Sequence, residues 1–127
     1  MNELSIRCET KNRSDKPINL EKLDIFALLK QEVDFRIMIN EKLFFREPLF
    51  PILEFLSQIN PWISEEKKID FAYNSIETEE NPLLSFSYIN EGWKIRSPWQ
   101  QFESDAIFSK QSIVLEITKV KTYLNVI

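Results

Sequence analysis

The sequence predicts an α+β domain: an antiparallel meander of about five or six strands, a usual sheet size, packed against two or three helices. Period-two alternation of apolar and polar residues recurs in short stretches, at 4–8, 35–45, 69–73, 84–88 and 93–97. Two apolar stripes follow helical spacing instead, Ile52, Phe55, Leu56 and Ile59, then Ile113, Ile117, Val120, Leu124 and Ile127. The chain of 127 residues is 43% hydrophobic and 13% aromatic, with ten Phe and three Trp, enough to bury a core as a single domain over 1–127.

The elements follow in order. Leu4, Ile6 and Cys8 alternate with Ser5, Arg7 and Glu9, the pattern of a half-buried strand. Residues 11–17 (KNRSDKP) are polar and turn-rich. Asn19 is placed to cap a helix over 20–30, with Leu20, Leu23 and Ala27 on one face and Phe26 beside them. Residues 35–59 then carry the densest apolar content. Phe35, Ile37 and Ile39 point one way, Arg36, Met38 and Asn40 the other, and Leu43 and Phe45 return after a turn at Asn40-Glu41-Lys42. Asn40 is the turn residue best suited to a left-handed conformation. Glu47-Pro48 ends the strand, Pro51 suits the first position of a helix, and Asn60-Pro61 stops that helix.

The second half reads mostly as strand. Ile69, Phe71 and Tyr73 alternate, and residues 75–81 (SIETEEN) make an acidic connection to Leu84, Phe86 and Tyr88. At Asn90-Glu91-Gly92 the only glycine falls where a three-residue hairpin wants a left-handed residue. Trp93, Ile95 and Ser97 return, and Pro98 marks the strand end. The C-terminal stripe predicts a helix capped by Ser109 or Ser112, although Ile113, Leu115 and Ile117 also alternate as in a strand. No internal repeat, low-complexity tract or linker is apparent.

Several function classes are disfavoured. Histidine is absent, which removes Ser-His-Asp and Cys-His nucleophilic systems and the commonest zinc ligand. A single glycine excludes phosphate-cradling loops. Sixteen basic against twenty acidic residues give a net charge of −4, which weighs against nucleic acid and favours a basic partner. Cys8, the lone cysteine, rules out an internal disulfide, fits a reducing compartment, and reads as a small core hydrophobe rather than a nucleophile. The polar stretch after Met1 lacks a signal-peptide core, and no apolar run reaches membrane-spanning length, so the expected location is the cytoplasm, with no membrane partner.

The candidate functional residues are carboxylates and tryptophans. Glu65, Glu66, Glu77, Glu79, Glu80, Glu103 and Asp105 offer paired carboxylates, which a hydrolase or metal site would need to converge in a cleft. In loops, such runs are ordinarily solvated surface or partner-binding surface. Trp93 is in register with Ile95 and reads as core, and Trp62 reads as closing the core rim. Trp99, after Pro98, is equally suited to packing or to anchoring an interface. Lys94 and Arg96 share a strand face near aromatics, only a fragment of a nucleic-acid platform.

Three segments carry a resemblance: 35–58 (FRIMINEKLFFREPLFPILEFLSQ), 75–88 (SIETEENPLLSFSY) and 92–104 (GWKIRSPWQQFES). Their F-x-I-x-I-N-x-x-L-F-F-x-E-P hairpin leading to a helix, with a later Trp-containing strand pair, resembles small bacterial cytosolic proteins. Those look like immunity proteins of polymorphic-toxin and contact-dependent-inhibition systems. Arg46, before Glu47-Pro48, departs from the acidic or polar residue expected there. The resemblance implies a non-enzymatic inhibitor that binds a cognate toxin domain, a basic nuclease being the partner that an acidic inhibitor suits. It implies no catalytic residue, metal, cofactor or small-molecule substrate. The expected partner-binding residues are Glu77, Glu79, Glu80, Glu91 and Trp99. A protein-binding adaptor module and, behind it, a carboxylate-based hydrolase are the alternatives.

Overall fold

The computed structural model of the chain describes residues 2–127. Strands β1 (Leu4–Glu9), β2 (Glu32–Ile39) and β3 (Lys42–Pro51) form one antiparallel sheet in that order. Helix α1 (Ile25–Lys30) lies between β1 and β2, and helix α2 (Ile52–Ser64) follows β3. Strands β4 (Phe71–Tyr73), β5 (Leu84–Ile89) and β6 (Gly92–Arg96) form a second antiparallel sheet, also in chain order, before helix α3 (Lys110–Leu124). The fold is α+β, with six strands in two sheets of three rather than one continuous meander.

Helix α2 explains the split. Ile52, Leu53, Phe55, Leu56, Ile59 and Trp62 are all buried, more than one helical face can hold. The Phe55 ring lies 5.6 Å from Phe35 in the first sheet and 5.3 Å from Tyr73 in the second. The helix is therefore a wedge between the sheets, and one aromatic core runs through all three elements. Trp62 and Trp93 meet edge to face at 5.5 Å, and both indole N–H groups donate to the Ile69 carbonyl, at 2.9 and 3.1 Å. Both tryptophans belong to the core, with Trp62 under the Lys110 ammonium.

Several local expectations change. The helix expected over 20–30 is divided: Asn19 caps a 3₁₀ turn (Leu20–Lys22), and Asp24 then caps α1 through the Ala27 N–H at 2.9 Å. A second cap inside the stretch ends the first turn, leaving Phe26 largely exposed. Strand β3 runs past Glu47-Pro48, because a register shift between Val33 and Phe35 puts Pro48 in a bulge where its missing N–H is not needed. Pro51 is the N-cap of α2 rather than its first residue. Asn60-Pro61 does not stop α2. Pro61 lies inside the helix, and its last turn is tied to α3 by Lys110, which donates to the carbonyls of Trp62 and Glu65.

At the turns, Asn40 and Glu41 both have positive φ, 51° and 68°, and so do Asn90 and Glu91, 52° and 67°. Both are two-residue turns of the mirror-image kind that suits twisted hairpins. Gly92 is not the left-handed residue; it is the first residue of β6. A Cβ there would meet Ile107 Cγ2 at 2.3 Å and the Phe108 carbonyl oxygen at 2.9 Å, where the chain pairs back onto Trp93. Contrary to the expectation of no internal repeat, residues 39–48 and 89–98 share an I-N-E-x-x-x-x-R-x-P frame, each inside a three-stranded sheet followed by a helix.

The C-terminal segment is helical, with Ser109 Oγ accepting from the Ser112 N–H and Asn125 closing the helix in a left-handed conformation. Helix α3 packs along β1. Buried Glu116 accepts from the Ile6 N–H at 3.1 Å, and the Tyr123 hydroxyl meets the Thr10 N–H at 3.2 Å. Among the described residues, no helix is long and apolar enough to cross a membrane.

Candidate functional site

The acidic connection after β4 is built by side chains. Asn81 Oδ1 accepts from the Ser75 N–H at 2.9 Å, while its Nδ2 donates to the carbonyls of Ser75 and Thr78, at 3.0 and 2.7 Å. Ser75 Oγ and Thr78 Oγ1 accept from the N–H groups of Glu77 and Glu80. These short-range side-chain bonds are what Ser, Thr and Asn supply in turns. The loop is thereby closed on itself, and its glutamates face outward.

Glu54 anchors this loop from the core. It is 2% exposed in the first turn of α2, where a carboxyl is favourably placed against the helix dipole. Its Oε1 accepts from the Tyr73 hydroxyl at 2.5 Å and its Oε2 from the Ile76 N–H at 3.1 Å. Burial, with the Glu54 hydrogen bond adding, pushes the Tyr73 hydroxyl well above the ordinary phenol range. Partial desolvation raises the Glu77 carboxyl, and the neighbouring charges of Glu32 and Glu54 raise it further. Negative potential is thus concentrated where the loop leaves the core.

The expected site residues separate into two places. Glu79 and Glu80 border a shallow cleft with Arg96 and Pro98 at one end of the second sheet, and Glu77 is exposed on the same loop. Trp99 follows Pro98 at that same end, half-buried, its ring parallel to Phe45 at 6.5 Å. Glu91 is exposed at the β5–β6 turn, the far end of a six-residue strand, roughly 20 Å away at strand rise. Lys94 pairs with the exposed Asp105 at 3.3 Å, while Arg96 is exposed and lines the cleft beside Glu79 and Glu80, so one of the two basic groups is already paired. Cys8 is buried, and burial pushes its thiol up to about 12, with the Glu9 charge adding, so it is unreactive at neutral pH. Among the described residues, no group of three or more Cys, Asp and Glu is placed to hold a metal ion.

Glu54 was not singled out by its sequence context. Ile52, Leu53, Phe55 and Leu56 around it are apolar, and a lone carboxylate inside such a run is the available signal that it is buried and bonded. A family model described as "Domain of unknown function (DUF7878)" matches residues 5–126, nearly the whole chain. The chain belongs to the DUF7878 family. Comparison with curated proteins found no match, and comparison with solved structures found none.

Proposed function

We propose that this DUF7878 protein is a non-catalytic immunity protein that binds and neutralises a basic toxin domain in the cytoplasm, through the acidic loop of Glu77, Glu79 and Glu80. The observation that carries the reading is the loop's construction: Asn81 and Glu54 hold its backbone, and Glu77, Glu79 and Glu80 are exposed on it close together in the chain. Such crowding raises the energy of the free surface, and a partner's Lys or Arg relieves it on binding. A preformed loop also loses little conformational freedom in the complex. Trp99 follows Pro98 of the cleft and is half-buried against Phe45, while Glu91 is too distant to share one small contact.

The test is co-expression with each candidate toxin domain found encoded beside this protein. Wild type is expected to rescue growth and to co-elute with the toxin on gel filtration. The triple substitution Glu77→Lys, Glu79→Lys and Glu80→Lys is expected to abolish both. Neutralisation that survives this charge reversal, also at raised salt, moves the contact off the loop, and absence of both rescue and complex by the wild type removes the immunity reading.

A further inference from the structure

The outer face of the first sheet carries an arrangement that only the strand register makes visible. Arg7 on β1 pairs directly with Arg36 on β2, and Arg36 pairs directly with Arg46 on β3. Three guanidinium groups therefore form one row across the sheet, with neighbouring strands about 4.8 Å apart. All three residues are exposed. Like charges directly opposite one another destabilise a sheet, and a chain of net charge −4 has acidic residues enough to avoid it.

Only partial compensation is present. Asp34 accepts from Arg46 in a two-point fork, Nε to Oδ1 at 3.1 Å and Nη2 to Oδ2 at 2.9 Å, and also from Arg36 at 3.2 Å. Arg7 has no ion pair among the described residues; its Nε donates to Ser5 Oγ at 3.1 Å. On one side of the row lie Met38 and Leu43, which pair across β2 and β3, with Glu3, Glu41 and Glu116 lining the same hollow as Arg7 and Met38, and on the other side lie Glu9 and Asp34.

We infer that this row is a binding site for carboxylate side chains of an acidic protein segment. The fork between Arg46 and Asp34 already displays the chemistry, a planar guanidinium held two-point by a carboxylate. Met38 and Leu43 supply an apolar strip for the side chains between the acids. A phosphate backbone is the poorer occupant: the positive track is one residue wide, and these rows contain no aromatic side chain on which a base would stack. The site lies on the first sheet, apart from the acidic loop of the second, and does not depend on the proposed toxin contact.

The experiment is a titration of the full chain with a fluorescent peptide of alternating Glu and Leu, and in parallel with a single-stranded oligonucleotide, by anisotropy. Arg36→Glu is expected to weaken peptide binding by roughly tenfold or more, the scale of a charge-assisted hydrogen-bonded pair. Arg7→Gln, which breaks no ion pair in the free protein, is expected to weaken it less, and it serves if Arg36→Glu does not fold. Asp34→Ala removes the internal competitor and is expected to tighten binding, a gain that lost structure would not give. Lys22→Gln, a charge change away from the sheet, should leave affinity unchanged. No peptide binding, tighter binding of the oligonucleotide, or equal weakening by Lys22→Gln overturns the assignment.

Discussion

The two hairpins carry the same turn and solve opposite packing problems. Counted from Asn40 and Asn90, Ile37 and Ile39 are buried in the first, whereas Phe86 and Trp93 are buried in the second. The apolar phase is therefore displaced by one residue relative to an identical turn. In β6 the alternation runs unbroken, with Trp93 and Ile95 inward and Lys94 and Arg96 on the other face. In β3 the pairing jumps from Met38 with Leu43 to Ile37 with Phe45, leaving Phe44 as an extra residue. That bulge puts Phe44 and Phe45 both into the core and brings Arg46 outward beside Arg36. The comparison teaches that the turn dictates how the strands reverse, while the apolar phase dictates whether a bulge is required.

Substitutions at matched positions test this. Phe44→Ala empties a fully buried site packed on Phe102, so a loss of about 3–5 kcal/mol is expected in urea unfolding. Its counterpart Lys94→Ala removes a pair with the exposed Asp105 and the packing of a largely covered aliphatic stem, expected to cost about 1 kcal/mol. Equal losses would mean that the bulge does not distinguish the hairpins. Next in size is Gly92→Ala, whose Cβ collides with Ile107 and the Phe108 carbonyl, at about 1–3 kcal/mol. Lys42→Ala, at the matched exposed position, should leave the midpoint nearly unchanged.

Smaller effects sharpen what the hairpins share. Glu41→Gly and Glu91→Gly each replace a left-handed glutamate, and each is expected to stabilise by about 0.5–1 kcal/mol, strain removed less the backbone entropy that glycine adds. A gain in one hairpin alone would show that the two turns are not equivalent. The last effect depends on pH. The Arg46 hydrogen bonds, with Arg36 adding, hold Asp34 below the usual carboxylate range. A lowered folded-state value contributes stability above the unfolded value of about 3.9, and that contribution is lost as pH falls through the folded value. The melting-temperature difference between wild type and Asp34→Asn is therefore expected at pH 7 and should vanish in strong acid. A difference independent of pH would assign no electrostatic role to this pair.

The alternation at 4–8, 35–39, 84–88 and 93–96, and the stripe of α3 with Ser109 before it, were legible because each depends on near neighbours in the chain. What was not legible depends on distant ones. Pro61 reads as a stop until Lys110 from α3 is seen to satisfy the carbonyls at the end of that helix. Gly92 reads as a turn residue until residues 107 and 108 return beside it. Glu54 and Glu116 were not singled out in the sequence, and the donors that make their burial stable come from other elements of the fold. The arginine row exists only in the register of three strands, 7 with 36 with 46, and sequence spacing does not encode it.

Strand β1 is the outer strand of its sheet, and its unpaired side would ordinarily be a template on which another chain could add a strand. Glu116 occupies the Ile6 N–H, and the Tyr123 hydroxyl engages the backbone N–H and carbonyl of Thr10. Helix α3 therefore works as a guard against edge-to-edge aggregation as well as a cover for the core. Glu116→Leu would keep the helix apolar on that side and release the edge, and the resulting protein should lose solubility at high concentration before it loses its fold.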